Sequence, residues 1–287
     1  MVDTAMHTRM LNSLVALVLL LGATGAARAS CDGAEQGLAA AQEELGQGRV
    51  DSALARLAAL ARSHPKCGET PLLQAQVHAA LGNARQAEGF FSEAIELAPG
   101  QPAPIFQLGV FYDGRQQHGR AAEQFRRVLA LAPADPQAYD YLGLSLEALG
   151  DFAQAESAYR MGLARNSGPR FDPMLHYNYG RFLAKHGKLA DAKSHLDEAV
   201  RLSPAVRAVH YERAKLSERL GELAGARSHA ERALQLPDRA GVILDMQVHY
   251  LLARIYRTMG ETALAEKYAA LSAKGEIPLA TRQRSGR

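Results

Sequence analysis

A short pattern of residues with chemical potential occurs three times in the second half of the chain. Each copy has a His-Tyr pair and a basic residue four positions after the tyrosine: His176-Tyr177 with Arg181, His210-Tyr211 with Lys215, and His249-Tyr250 with Arg254. On a helix, residues four apart share a face, so each tyrosine ring would stand beside a cation. Tyrosine and arginine are also enriched among the residues that dominate binding interfaces. The pattern predicts a row of contacts for a partner; the alternative is a solvated face left by an architectural repeat.

The ten histidines are the other feature that could carry chemistry, because imidazole binds metals and transfers protons. His195 and His229 share one phase of the pattern, while the three histidines of the His-Tyr pairs share another. This repetition separates equivalent histidines by about one repeat, which argues against convergence on one ion. The sequence has no G-x-S-x-G, no H-E-x-x-H and no phosphate-binding glycine loop. We therefore predict a protein that is not an enzyme and has no metal and no cofactor, with histidines at packing positions and their polar edges outward.

The N-terminal residues differ in character from the rest of the chain. Arg9 precedes the apolar run MLNSLVALVLLLGATGA, and Ala27-Arg28-Ala29 fits a cleavage site after small residues. Because the run is short for a membrane span, we predict a cleaved signal peptide over residues 1–29 rather than an uncleaved anchor. Lipid attachment at Cys31 is disfavoured, since Arg28 stands where that signal has an aliphatic residue.

The two cysteines, Cys31 and Cys67, agree with export. In an oxidising compartment such a pair usually forms a disulfide. The residues between them predict two helices, near 35–46 and 50–63, and an antiparallel helix pair brings its two ends together. A bridge is therefore geometrically plausible; two free thiols or a metal-binding pair are the alternatives. We expect an exported protein, in the periplasm of a bacterium, without a membrane span once the signal is removed.

A repeat of about 34 residues organises the remaining chain. Pro65, Pro99 and Pro133 are each 34 positions apart. Glycines recur in the middle of the repeats at a similar spacing: Gly48, Gly82, Gly150, Gly187, Gly221 and Gly260. The one doubled gap, between Gly82 and Gly150, has Gln116 at its middle. This period is the length of a helix–turn–helix repeat. The hydrophobic content of 47% with only 6% aromatic residues suits helices that pack closely through alanine and leucine.

The residues at fixed phase resemble the tetratricopeptide repeat (TPR) family. The third repeat carries most of its pattern: Leu108-Gly109, Tyr112, Ala121, Phe125 and Pro133. The first, sixth and seventh repeats keep the small residues Ala53, Ala226 and Ala265 but lose the aromatic ones. The resemblance implies an all-α fold, an α-solenoid of about seven helix–turn–helix repeats in a right-handed superhelix.

The solenoid is predicted to span residues 30–274, followed by a flexible basic tail at 275–287. The predicted units are 34–67, 68–101, 102–135, 136–169, 173–206, 207–240 and 246–274.

The resemblance also gives the opening pattern a place. In TPR proteins the position of each tyrosine, and the position four later, face the concave groove. We name the predicted partner-binding set the tyrosine–basic ladder: Tyr177, Arg181, Lys185, Tyr211, Lys215, Arg219, Tyr250, Arg254 and Arg257. Earlier repeats differ at these positions, with Leu72/Gln76, Phe106/Val110 and Asp140/Leu144.

The charge of the chain also changes from acidic in the earlier repeats to basic in the part that contains the ladder. Residues 30–169 contain 11 Lys and Arg against 16 Asp and Glu, whereas residues 170–287 contain 20 against 13. A basic, tyrosine-lined surface favours acidic ligands.

Together these features predict a non-catalytic exported scaffold for protein–protein interactions. Its partners would be proteins that offer acidic or C-terminal peptide segments, not nucleic acid, with roles such as envelope, pilus or secretion-complex assembly. The Lys/Asn/Asn/Lys/Arg set of the family's chaperone-tail clamp is not found, so that ligand is not predicted. The alternative is an accessory protein of the cell envelope that binds carbohydrate or another anionic polymer, with the tyrosines as stacking platforms.

Overall fold

Helices make up all the regular structure of the residues that our computed structural model describes, namely 31–167, 172–237 and 243–275. The predicted signal peptide and the predicted tail from residue 276 onward lie outside these ranges. None of the described helices is both long and apolar enough to cross a membrane.

The described helices follow one another as helix–turn–helix pairs, as expected for an all-α solenoid. In chain order they are α1 Glu35–Gly46, α2 Val50–Ser63, α3 Glu69–Ala80, α4 Ala84–Leu97, α5 Pro102–Gly114, α6 His118–Leu131, α7 Pro136–Ala148, α8 Phe152–Leu163, α9 Met174–Lys185, α10 Leu189–Leu202, α11 Arg207–Arg219, α12 Leu223–Gln235, α13 Asp245–Thr258 and α14 Thr262–Gly275. The first two coincide with the predicted helices near 35–46 and 50–63.

The described part of the chain divides into two compact units, an N-terminal unit up to Ala155 and a C-terminal unit from Glu156 onward, with the boundary inside α8. In the N-terminal unit, small alanines such as Ala53 and Ala121 are fully buried and let the helices approach closely around Leu57 and Phe125. In the C-terminal unit, buried aliphatic and aromatic side chains of α13 pack on the alanines of α12. Each unit therefore buries the apolar stripes that a single helix pair would leave exposed.

A disulfide joins Cys31 to Cys67, with 36 residues of sequence separation and 4.5 Å between the two Cα atoms. It connects the residues that flank α1 and α2, and both cysteines are buried in the same apolar cluster as Leu38 and Leu45. The N-terminal helix pair is thus covalently closed where its two ends meet.

The turn inside each pair depends on one residue with a left-handed backbone. The six glycines of the repeat phase all have φ between 75° and 81°, and the seventh position is Gln116, with φ of 59°. The non-glycine residue at the doubled gap therefore adopts the conformation that glycine adopts elsewhere. A side chain in this region costs about 1–2 kcal/mol.

We expect Gln116→Gly to raise the free energy of unfolding by about 0.5–1 kcal/mol, since relief of backbone strain exceeds the entropy that glycine adds to the unfolded chain. The matched reverse change is Gly150→Gln, because a Cβ at Gly150 meets no atom within 4 Å and only the backbone term changes. It should lower the free energy of unfolding by about 1 kcal/mol. Urea unfolding followed by circular dichroism measures both; a Gln116→Gly protein less stable than wild type would contradict the strain argument.

Candidate functional site

The three tyrosines of the ladder lie on neighbouring first helices of the C-terminal unit. Tyr177 is on α9, Tyr211 on α11 and Tyr250 on α13, and α11 contacts both of the others. Charged groups on one helix affect the tyrosine of the neighbouring helix along this face. The Glu212 carboxylate contributes to raising the pKa of Tyr177, and the Arg254 guanidinium opposes the rise in the pKa of Tyr211. The fold thus brings side chains that are 34 to 39 positions apart in sequence onto one continuous face.

Two of the cations stand over the rings of their own repeat. The Lys215 ammonium lies 5.4 Å from the centroid of the Tyr211 ring, and the Arg254 guanidinium lies 5.8 Å from that of Tyr250. These distances are within the range of cation–π attraction. The four-residue spacing along the helix therefore produces stacked tyrosine–cation pairs.

Two carboxylates underlie these cations, and the sequence analysis did not anticipate them. Lys215 Nζ lies 2.9 Å from Glu212 Oε1, and Arg254 Nη2 lies 2.9 Å from Glu218 Oε2 of the preceding first helix. The side chains of Glu212 and Glu218 are each only 12% exposed, whereas those of Lys215 and Arg254 are 45% and 49% exposed. The carboxylates hold the cations in place from below, while the cations face solvent.

The tyrosines differ in how far they reach into solvent. Burial raises the pKa of Tyr177 to about 12, with a further contribution from the Glu212 carboxylate. Burial also raises the pKa of Tyr211, which packs against the apolar cluster around α12 and α13. Tyr250, by contrast, is 59% exposed. Tyr177 and Tyr211 thus serve partly as packing residues, and Tyr250 offers the largest free ring surface.

The remaining cations of the ladder have unequal roles. The Arg219 guanidinium donates a hydrogen bond to the Ala184 carbonyl in the last turn of α9, where a positive charge is also favoured by the helix dipole. Arg257 is exposed on the last turn of α13. Lys185 is exposed at the end of α9, while Arg181 is half-buried. Arg219 therefore also ties α11 to α9 and is a poor probe of binding alone.

Equivalent histidines lie in separate repeats, as the sequence predicts. The prediction that their polar edges face outward is wrong for two of them, because His176 contacts His195 and His210 contacts His229 within one repeat each. These contacts were missed because only histidines of one phase were compared, while contact occurs between two phases that lie 19 residues apart on the two helices of a repeat. Among the described residues, no group of three or more His, Cys, Asp or Glu could hold a metal ion.

A buried arginine was also missed. Arg213 on α11 is 7% exposed and lies against Asp197, with Nη2 3.5 Å from Glu222 Oε2 and a hydrogen bond to Ser217. It fills space on a helix whose sequence, RAVHYERAKLSER, looks polar on every side. No periodic signal marks such a residue, since a charge is normally read as surface.

The sequence profile of the tetratricopeptide repeat matches residues 38–102, 108–173, 177–241 and 247–272. The chain belongs to the tetratricopeptide repeat family. The family resemblance and the all-α solenoid predicted from the sequence are thereby confirmed. TPR proteins bind protein partners, and the repeats place this chain among scaffolds for protein interaction.

Solved structures show the same fold. PilW, described as a widely conserved type IV pilus biogenesis factor, is 19% identical with a TM-score of 0.63, over 75% of this chain and 97% of PilW. PilF of Pseudomonas aeruginosa is 19% identical with a TM-score of 0.62, over 76% of this chain and 95% of PilF.

A curated relative shares part of the sequence. The heat-shock protein cognate co-chaperone sgt12 of Aspergillus fumigatus is 25% identical over 116 residues, which cover 38% of this chain. The matched region spans only 34% of the co-chaperone.

Proposed function

We propose that this TPR protein is a non-catalytic exported scaffold that binds acidic segments of partner proteins on the tyrosine–basic ladder. One observation carries the proposal: Lys215 and Arg254 stay about half exposed above carboxylates that are 12% exposed. The cations are thus held in position before a ligand arrives, which reduces the entropy lost on binding.

The charges of the ladder favour an acidic ligand. Its six basic side chains outnumber the two underlying carboxylates, Glu212 and Glu218. Tyrosine rings beside those cations add apolar contact area with few rotatable bonds, as is typical of interface hot spots. An extended acidic segment that crosses α9, α11 and α13 would meet one such tyrosine–cation pair on α11 and one on α13.

The place of action is also part of the proposal. The signal-like N-terminus and a disulfide in the first helix pair support an oxidising compartment, for which we propose the bacterial periplasm. The likeness to PilW supports a role in assembling an envelope structure such as a pilus or a secretion complex.

The test uses synthetic peptides that carry a run of Asp and Glu, with polyuronate as the polymer probe. Tyr250→Ala is the sharpest variant because this ring is exposed, so its loss affects contact area more than packing. We expect peptide Kd to rise about tenfold in fluorescence anisotropy, as for a moderate hot spot. Arg257→Glu should weaken binding by about fivefold at low salt, and less at high salt.

Arg126→Glu is the matched control. Arg126 is exposed on the second helix α6, where it donates a hydrogen bond to Gln154 at 3.1 Å, so the same charge reversal occurs away from the ladder. It should leave the peptide Kd within about twofold of wild type at physiological salt. If Tyr250→Ala binds as wild type does, the ladder is not the site. Binding of polyuronate but of no acidic peptide would favour the carbohydrate alternative.

A further inference from the structure

Two histidine pairs of identical construction link the helices of the fifth and sixth repeats. In each, the two Nδ1 atoms lie 3.1 Å apart, between His176 and His195 and between His210 and His229. The ring centroids are 5.2 and 5.4 Å apart, with interplanar angles of 40° and 36°. The first pair connects α9 to α10, and the second connects α11 to α12. The same contact between two imidazoles therefore occurs at equivalent positions of two successive repeats.

The hydrogen count of such a pair is fixed by its geometry. His210 Nε2 lies 3.1 Å from the Pro204 carbonyl oxygen, which only accepts, so Nε2 of this ring carries a hydrogen. In the neutral pair His210 Nδ1 is then the acceptor, and His229 donates its Nδ1–H. One added proton on the far nitrogen of His229 preserves this bond. A second proton must go onto His210 Nδ1, which puts two N–H groups against each other.

The surroundings do not favour the charged forms. Burial lowers the pKa of all four rings and is the largest cause in each case. In the first pair, Glu198 raises the pKa of His176, whereas Arg201 lowers it. Asp191 raises the pKa of His195, whereas the His176 imidazole lowers it. In the second pair, the Pro204 carbonyl raises the pKa of His210, whereas Arg232 lowers it. The His210 imidazole and Arg213 lower the pKa of His229, and Asp197 raises it. The Tyr179 ring packs on His195 with centroids 4.7 Å apart and offers no charge.

The seventh repeat provides an internal contrast. His249 has the same phase as His176 and His210, yet the ring opposite is Tyr268, with centroids 5.8 Å apart. A tyrosine takes up no proton in mild acid, so the conflict between two imidazoles cannot arise there. Among the described residues, the contact between two imidazoles therefore occurs in the fifth and sixth repeats only.

We propose that the two histidine pairs are acid-sensitive contacts that hold together the two helices of a repeat. Binding of a second proton to a pair separates the first helix of its repeat from the second. Since His176 and His210 directly precede Tyr177 and Tyr211, opening of the pairs loosens the helices that carry the ladder. Histidines whose folded pKa is lowered bind more protons after opening. The stability that the pairs give to the closed helices is therefore fully present above the ordinary histidine pKa of about 6.5, and it decreases as pH falls through and below that value.

Hydrogen exchange of the full chain, measured by mass spectrometry and corrected for intrinsic rates, tests the proposal without a ligand. For each proton that a pair gains only on opening, the opening constant of its helices should rise about tenfold per pH unit below pH 6.5. We expect this loss of protection in α9–α12 and not in α7 of the N-terminal unit, which contains no histidine. The readout does not depend on partner binding, so its failure is distinct from failure of the proposed function.

The informative variant is His195→Asn with His229→Asn. Asparagine places an amide near the position of Nδ1 and can present either its NH₂ or its oxygen, so one protonated histidine per pair is accommodated. The variant should lose most of the acid-induced opening, while His249→Asn, at the phase of His176 and His210 but opposite Tyr268, should keep it. Acid-induced opening that is equal in the double variant and wild type, or equal in α7 and α9–α12 of the wild type, would overturn the proposal.

Proton NMR titration of the wild-type imidazoles supplies a second measurement, should the double variant fail to fold at neutral pH. We expect two separated protonation steps in each pair, because the first proton preserves the Nδ1 contact and the second breaks it. Four independent titrations near pH 6.5 would overturn the proposal.

Discussion

Replacing Cys31 and Cys67 with alanine is expected to lower the free energy of opening of α1 and α2 by about 3–4 kcal/mol, the chain-entropy value for the loop that the disulfide closes. The loop has a sequence separation of 36 residues, and it contains the whole first helix pair. Hydrogen exchange of amides in α1 and α2 measures the change, since an array of repeats need not unfold in one step.

Reduction of the wild-type protein separates the cross-link from packing. The cysteines are 2% and 1% exposed, so alanine also removes buried sulfur, whereas a reductant removes only the bond. The reduced wild type should therefore show most of the loss, and protection of α13 and α14 should not change. Equal protection of α1 and α2 in the oxidised and reduced protein would contradict a stabilising role for the disulfide.

Phe125→Ala should lower the free energy of unfolding of the N-terminal unit by about 3–5 kcal/mol, the usual cost of deleting a fully buried phenylalanine. The Phe125 side chain is 0% exposed, and its ring lies 5.4 Å, centroid to centroid, from those of Phe106 and Tyr141. It also lies directly against Gly109, where a Cβ would come within 2.8 Å of the ring. Urea unfolding followed by circular dichroism measures the loss.

The contact with Gly109 allows a double-mutant cycle that assigns the effect to this packing. Gly109→Ala alone should destabilise by about 1–3 kcal/mol, because the added methyl group overpacks the ring. In the Phe125→Ala background the clash is gone, and alanine is favoured over glycine in a helix by about 1 kcal/mol. The same change should then be neutral or stabilising; additive losses would show that the two residues do not share one packed site.

Much of the fold follows from the sequence because the repeat fixes it locally. The glycine phase predicted where each turn falls, and it even marked Gln116 as the residue that takes the glycine's place; the structure gives it a φ of 59°. Fixed small residues such as Ala121 predicted close helix contacts, and this residue is fully buried. Such positions are set by the backbone of a single repeat, so one repeat's pattern is enough to find them.

The site could be predicted only in part, because its details depend on contacts between helices. The spacing of Tyr250 and Arg254 predicted a tyrosine–cation pair on one helix. Glu218, which lies beneath Arg254, is 36 positions away on another first helix, and nothing in its own sequence context marks it. The histidine pairs were missed for the same reason, since their 19-residue separation crosses a turn and matches no period of a single helix.

Mapping the footprint of a bound acidic peptide tests most directly the claim that this protein binds acidic segments on the tyrosine–basic ladder. Differential hydrogen exchange of the full chain, with and without a peptide that carries a run of Asp and Glu, gives that footprint. We predict increased protection in α9, α11 and α13, reduced at high salt and reduced by Tyr250→Ala. Protection confined to second helices such as α10 and α12, or to the N-terminal unit, would contradict the claim and place the binding surface elsewhere.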